Sequence, residues 1–322
     1  MYKKKFEILA SDYIVTAGSC FAQHIGNRLQ SSGFNYLDVE PSPCPLSDSD
    51  KKMLGYGVYS ARYGNVYTSR QFVQLIERAL GKFSPKDQDW ENNGRYFDAF
   101  RPTFPPGGYE TLEEMQFSRE CHLAAVAKML KQADIFVFTF GLTESWESKA
   151  DGAAYPLCPG TAAGEFSEDS YVFKNYSVAD VLQDMNRAID LITAINPTIK
   201  FIFTVSPVPL VATASGDHVL AATTYSKSVL RAAAGELAMA LKNVDYFPSY
   251  EIISSSIMRG MFFEPDVRSV VPQGVDYVMT HFFKQHRPIN APKQAQKEPE
   301  TAQIPMHNDD IMCDEILLER NI

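Results

Sequence analysis

The chain has 322 residues, 45% hydrophobic and 12% aromatic, with a formal net charge of -9 at pH 7. That length fits one large α/β domain or two small ones, and the apolar content is far above that of disordered chains. The acidic balance argues against a nucleic-acid groove or a patch for anionic membranes, and no apolar run is long enough to span a bilayer.

Three lysines lie within the first six residues, but Glu7 and Asp12 interrupt the stretch that follows. No signal-peptide core forms there, and the expected location is the cytoplasm. The five cysteines, Cys20, Cys44, Cys121, Cys158 and Cys313, are scattered and contain no C-x-x-C pair. Free thiols are therefore expected, with no disulfide framework and no structural zinc.

Tyr13 to Ala17 is a short apolar run that reads as a buried strand, followed by a helix-like stretch from Phe21 to Ser31. Leu37 to Thr111 forms a long insert rich in Gly, Pro, Tyr and Arg, with one helix expected over Ser69 to Leu80. Its aromatics (Tyr56, Tyr59, Tyr63, Tyr67, Trp90, Tyr96, Phe97, Phe100) lie near Arg62, Arg95 and Arg101. They fit either a sugar-stacking platform or a small extra core beneath long loops. A helix over Leu112 to Gln132 precedes the strand Ile135 to Phe140, and Ser148 to Asn175 reads as irregular. Val178, Val181, Leu182, Met185, Ile189 and Ile192 repeat at helical spacing. Ser177 with Asp180 resembles a capping box, and Asn196-Pro197 stops that helix before the strand Lys200 to Val205. A helix over Thr223 to Leu241, a weaker strand Val244 to Phe247 and a helix over Gly274 to Gln285 complete the pattern. Residues 1–286 thus read as one domain. Residues 287–322, polar and proline-spotted, read as a disordered tail in which Ile311 to Leu318 can form a short amphipathic helix.

Strands alternating with helices of this length predict a doubly wound parallel sheet, whose ligands bind at the carboxyl ends of the strands. Gly18-Ser19, Gly141-Leu142-Thr143-Glu144 and Ser206-Pro207-Val208-Pro209 fall at those ends. A strand that breaks at Gly18-Ser19 and restarts as a helix presents the serine hydroxyl beside free N–H groups and the positive end of the helix dipole. A nucleophilic serine needs that placement, although most Gly-Ser pairs are ordinary turns. No phosphate-binding glycine loop follows a strand, and no His/Asp/Glu spacing points to a metal, so no cofactor is expected.

Gly18-Ser19-Cys20-Phe21-Ala22 matches the signature that names the GSCFA family, which resembles the SGNH/GDSL esterase-lipase superfamily. Thr204-Val205-Ser206-Pro207-Val208-Pro209, Tyr225-Ser226-Lys227-Ser228 and Tyr246-Phe247-Pro248-Ser249 follow in the same order, and the similarity covers roughly residues 10 to 285. The resemblance implies an SGNH-hydrolase-like three-layer α/β sandwich with long loop insertions. It places Ser19 as nucleophile, with its own amide, Gly64 and Thr143 around the oxyanion. Thr143 stands where the superfamily has asparagine. The superfamily's terminal Asp-x-x-His-Pro block falls on Asp266-Val267-Arg268-Ser269-Val270, so the aspartate is present and the histidine is replaced by Ser269.

A serine needs a base, and His is the usual one. Of the six histidines (His24, His122, His218, His281, His286, His307), His218 is preferred, with Asp266 to orient it, because its loop starts from the active edge of the sheet. His24 and His281 are further candidates, and a desolvated Lys227 is another possible base. Asn65, Glu144 and Arg101 are the substrate-binding candidates. The function expected is a serine-dependent ester hydrolase or O-acyltransferase acting on an acylated saccharide or glycoconjugate. The alternative is a degenerate relative that binds a glycan or protein partner in the old pocket.

Overall fold

The computed structural model of the protein describes residues 2–286 and Asp314. In chain order the elements are β1 (Ile14–Gly18), α1 (Phe21–Ser31), α2 (Asp48–Met53), α3 (Ser69–Ala79), β2 (Asp89–Asn92) and β3 (Arg95–Asp98). There follow α4 (Leu112–Gln132), β4 (Ile135–Phe140), β5 (Glu144–Ser148), β6 (Ala154–Tyr155), β7 (Tyr171–Asn175) and α5 (Val178–Ile195). The last are β8 (Lys200–Val205), α6 (Val219–Ala240), β9 (Val244–Tyr246), α7 (Ser249–Ser254) and α8 (Pro272–Gln285).

The central sheet is parallel, in the order β1-β4-β8-β9, with Gly18 paired to Thr139 and Phe140 to Val205. A single bridge from Ile14 to Tyr36 extends it beyond β1. Alternate residues serve opposite faces, as a period of two demands. Phe136, Phe138 and Phe140 join Phe201 and Phe203 under α3, α4, α5 and α6. Ile135, Val137 and Ile202 face α1, α7 and α8. Burial on both faces explains why these strands read as continuous apolar runs. The Ser177–Asp180 capping box forms, and the side chain of Asn196 donates to the carbonyls of Leu130 and Ala133. The parallel sheet flanked by helices that the alternating pattern predicts is the one observed.

Two stretches carry more order than the sequence indicated. The insert holds α2, α3 and the antiparallel hairpin β2-β3. The stretch read as irregular supplies β6 and β7, which flank β5 in a second, antiparallel sheet. Hydropathy missed β5 because its buried side chains are Ser145, Glu147 and Ser148, held by hydrogen bonds from neighbours such as Tyr176. Trp90, Phe97, Ala99 and Tyr155 form a satellite core with Phe100 and Tyr171 packed against it, and Tyr59 and Tyr63 belong to the main core. Tyr59, Tyr63, Trp90, Phe97 and Phe100 are therefore packing groups, while Tyr56 stacks under the Arg62 guanidinium. Arg95 donates to the carbonyls of Gly107 and Gly108, and Arg101 pairs with Asp98.

Cys44, Cys121 and Cys158 are free thiols. Among the described residues no helix is long and apolar enough to cross a membrane. The expected tail and its helix lie outside the described residues, apart from Asp314.

His122, on α4, is buried and hydrogen-bonds Glu40 of the insert through Nδ1 at 2.6 Å. Burial first, then the nearby Arg101 charge, lowers its pKa to about 4 against the opposing pull of Glu40. His286, also buried, is lowered to about 4. The unfolded chain takes up protons on both rings near pH 6.5 while the folded one refuses them until about pH 4, so stability falls as pH drops through that window. Urea unfolding between pH 7 and 4.5 checks this. Wild type should lose stability steadily, and His122→Phe should lower the slope by ~1 kcal/mol per pH unit.

Candidate active site

The site is built where β1 ends. Gly18 has φ +135°, and a Cβ on it would lie 2.3 Å from the Thr139 carbonyl oxygen, so only glycine fits. The Ser19 amide donates to that carbonyl at 3.0 Å, which locks the turn to β4. Helix α1 begins at Phe21, directly behind, and its positive dipole end faces the turn. Ser19 is 2% exposed, and its Oγ has no hydrogen-bond partner among the described residues.

Two further segments close around this hydroxyl. Val66 donates its amide to the Gly18 carbonyl at 2.8 Å, and the Tyr67 carbonyl accepts from the amides of Gly141 and Leu142 at 3.0 and 3.1 Å. A Cβ on Gly141 would sit 2.9 Å from the Ser19 Cβ, so Gly141 is what lets the end of β4 pass the serine. From α6 comes Lys227, 1% exposed, whose Nζ donates to the Gly141 carbonyl at 2.6 Å. Its neighbour Ser226 accepts the Thr143 amide at 3.0 Å. Ser19, Gly141, Ser206 and Lys227 line one pocket, with Tyr67, Leu142 and Leu210 among its walls. The three strand ends thus converge as the topology requires.

That pocket shares Tyr67, Leu142 and Leu210 with a larger cleft of about 370 Å³, whose lining includes Trp146, Leu157 and Phe173. Glu144 stands on the cleft wall and accepts from the Thr213 hydroxyl at 2.6 Å. Burial raises its carboxyl above the ordinary range, partly offset by that hydrogen bond.

Other residues expected at the site lie elsewhere. His218 is exposed and caps its own helix, its Nδ1 accepting the Leu220 amide at 3.2 Å. Asp266 is exposed and turned on its own loop, accepting the amides of Arg268 and Ser269 at 2.8 Å and the Ser269 hydroxyl. The residue in histidine's place thus closes a turn on the aspartate. None of the described histidines lines the Ser19 pocket. Thr143 is occupied, its hydroxyl donating to Asn175 at 2.7 Å. Gly64 turns the chain at φ +69° against Phe104, outside the pocket lining. Asn65 is buried, donates to Asp314 at 2.7 Å and accepts the hydroxyl of Tyr59, which also reaches the Ser19 carbonyl. Arg101 is buried away from the cleft, on Asp98. Among the described residues no group of His, Cys, Asp and Glu is placed to hold a metal ion.

Lys227, weighed in the sequence only as an alternative base, lines the same pocket as the serine. The signal was present. Lys227 stands at i, i+3 and i+7 with the buried Leu230 and Ala234, on the core stripe of α6 where a solvated lysine has no reason to be.

A buried serine at the strand-to-helix turn of a parallel α/β sheet, beside a buried lysine and an apolar cleft, defines a class of α/β proteins with a pocket at the carboxyl edge of the sheet. Within that class the chain belongs to the GSCFA family, whose model matches residues 13–282. No curated protein matches it. Among solved structures it is similar to a crystal structure of an acetyl esterase mutant with an acetate ion, at 9% identity and a TM-score of 0.35, over 85% of this chain and 98% of that one.

Gly18→Ala should cost ~1–3 kcal/mol, because the new Cβ meets backbone atoms that cannot yield. Gly33→Ala, at another positive φ but in open space, should cost less; urea unfolding of both variants checks the order.

Proposed function

We propose that the protein is a serine-dependent ester hydrolase or acyltransferase in which Lys227 serves Ser19 as base. The observation that carries this reading is that both side chains, buried and polar, line one small pocket. A lysine can act as a base where its amine is held neutral.

In this mechanism the Ser19 Oγ attacks the carbonyl carbon of an ester, and the Lys227 amine takes the hydroxyl proton. The oxyanion forms near the start of α1 with the new ammonium beside it. That proton passes to the leaving oxygen as the acyl C–O bond breaks, releasing an alcohol and leaving acyl-Ser19. Water or a second hydroxyl then attacks the acyl group and gives its proton to Lys227, which passes it to the Ser19 Oγ as the acyl–Oγ bond breaks. Water makes the protein a hydrolase, and a second alcohol makes it a transferase.

The Ser19 amide and Thr143, both engaged in the fold, drop out as oxyanion donors on this reading, and His218 and Asp266 drop out as base and orienter. The apolar wall of the cleft beside the pocket, with Leu157, Phe173 and Leu210, favours an apolar acyl or alkyl group. Glu144, on its wall, would meet the polar end of such a substrate.

A second reading, a non-catalytic module using the same pocket, draws on the pocket's lack of a histidine. Labelling with a fluorophosphonate followed by peptide mass spectrometry separates the two. Wild type should carry the adduct on Ser19, Lys227→Met should label at least ~100-fold more slowly, and His218→Ala should label normally. Loss of labelling in His218→Ala would return the base to that histidine. No adduct on folded wild type would favour the binding module.

A further inference from the structure

The cleft beside the serine is lined along one side by a face of the second sheet. Trp146 of β5 stands opposite Tyr155 of β6 and opposite Phe173 of β7, and all three line the cleft. Residues paired across strands share a face, so the three rings form a row across the sheet. Trp146 packs edge-on against Phe173, with 5.7 Å between ring centroids. Glu144 lies two residues before Trp146 on β5, which puts it on the same face, at the end of the strand that leads from β4. Leu210 to Ala214, in the chain after β8, supply another wall.

Among the described residues that line this cleft, Glu144 alone is charged. Its Oε1 accepts from the Thr213 hydroxyl at 2.6 Å, and its Oε2 has only the Ala214 amide, at 3.4 Å. A carboxylate offers about four acceptor sites, so two neutral donors leave both capacity and charge unmet. Burial, with a further push from Asp217, raises the carboxyl against those two hydrogen bonds. A half-buried negative charge without a counter-charge is costly, and a cation beside it lowers that cost.

The rings select the kind of cation. A bare metal ion needs several oxygen ligands, which aromatic rings do not supply. The faces of Trp, Tyr and Phe attract a positive nitrogen within about 6 Å of the ring centre, and the apolar stem of such a nitrogen packs on the same rings. The volume of about 370 Å³ is ample for both parts. A cavity of ~150 Å³ already holds benzene.

We propose that the cleft is the binding site for an alkylammonium group, with the positive nitrogen at Glu144 and its apolar stem along Trp146, Phe173 and Leu157. The group belongs to the ester that Ser19 attacks, a placement that rests on the reading of Ser19 as nucleophile.

Isothermal titration calorimetry of the full chain with hexylammonium, hexanol and hexanoate, which differ only in the head group, tests the site. Wild type should bind hexylammonium saturably below ~10 mM and at least ~10-fold more tightly than hexanol, with hexanoate weakest. Glu144→Gln keeps the shape and removes the charge, so it should erase that preference while hexanol binds as before. Equal binding of hexylammonium and hexanol to wild type, or no saturable binding of hexylammonium, overturns the proposal. So does an unchanged preference in Glu144→Gln. If Glu144→Gln does not fold, wild-type crystals soaked in bromohexylammonium decide. A bromine peak among Trp146, Leu157 and Phe173 upholds the site, and peaks elsewhere alone overturn it. Ser19→Ala, which cannot be acylated, should still bind hexylammonium. Binding of hexylammonium without fluorophosphonate labelling of Ser19 upholds the cleft and strikes the catalytic reading alone. Labelling without a head-group preference strikes the cleft alone.

Discussion

The contact that the rest of the site depends on is the approach of the Gly18–Ser19 turn to the end of β4. In parallel register Gly18 stands opposite Thr139, and the Thr139 carbonyl takes the Ser19 amide. No side chain fits at Gly18, and none at Gly141 one strand-end further on. These two glycines bring three backbone segments together: the serine turn, the exit of β4, and residues 66–67 of the insert, whose amide and carbonyl groups join the other two. Ser19 spends its amide on this assembly and keeps its hydroxyl for the pocket. A register slip of one residue between β1 and β4 would undo the arrangement, because every side chain would change face.

The same contact explains why the insert is a working part of the domain. Its residues from Val58 to Ile76 pack into the main core, and polar ties fix the register of that attachment. Helix α3 is fixed to α5 by Ser69 and Arg70 on Asp184, and Arg70 also meets Glu147 of β5. Glu40 is held to α4 by His122, and burial of its carboxyl is outweighed by His122, the Arg62 amide and Arg101, which lower it to about 2. Asp98 is likewise kept well below the carboxylate range, its burial outweighed by three arginines. Such ties fix geometry more than they add stability, since desolvation consumes much of the Coulomb gain. What they fix is the position of Val66 and Tyr67 against the serine.

Much of this was legible in the residues. The runs Ile135 to Phe140 and Lys200 to Val205 are apolar at every buried position except Thr139 and Thr204, so composition alone marked them as central strands. The small and polar residues after them marked the active edge. The second sheet was not legible, because β5 buries serines and a glutamate whose partners come from residues distant in sequence. His218 and Asp266 were placed by chain order and by resemblance. Local hydrogen bonding then claimed them: a histidine two residues before a helical amide is a ready cap, and an aspartate before Arg268 and Ser269 closes a turn. Neither short-range bond is visible in a motif. Lys227 shows the converse: its spacing from Leu230 and Ala234 on the core stripe of α6 was there to be read, although the sequence alone makes Lys227 only an alternative base.

On the proposed reading, the position of that lysine bears on how a serine site can work without the terminal histidine that the resemblance leads one to expect. The Asp266 turn leads into α8, which packs on the face of the sheet shared with α1. Helix α6 packs on the opposite face. Ser19 stands at the strand ends, between the two layers, and is reachable from either. With Ser269 bonded back to Asp266, the first route supplies no base. The second offers Lys227 through the Gly141 carbonyl, on the glycine that already touches Ser19. A lysine suits that route geometrically, because its long unbranched stem can run from a core helix past apolar neighbours and deliver only its terminal nitrogen to the pocket. An imidazole on the same turn of α6 would have to bring a rigid polar ring through the same packing. On this reading, replacement of histidine by Ser269 and burial of Lys227 are two sides of one change: the proton acceptor crosses the sheet while the serine turn stays where the two glycines hold it.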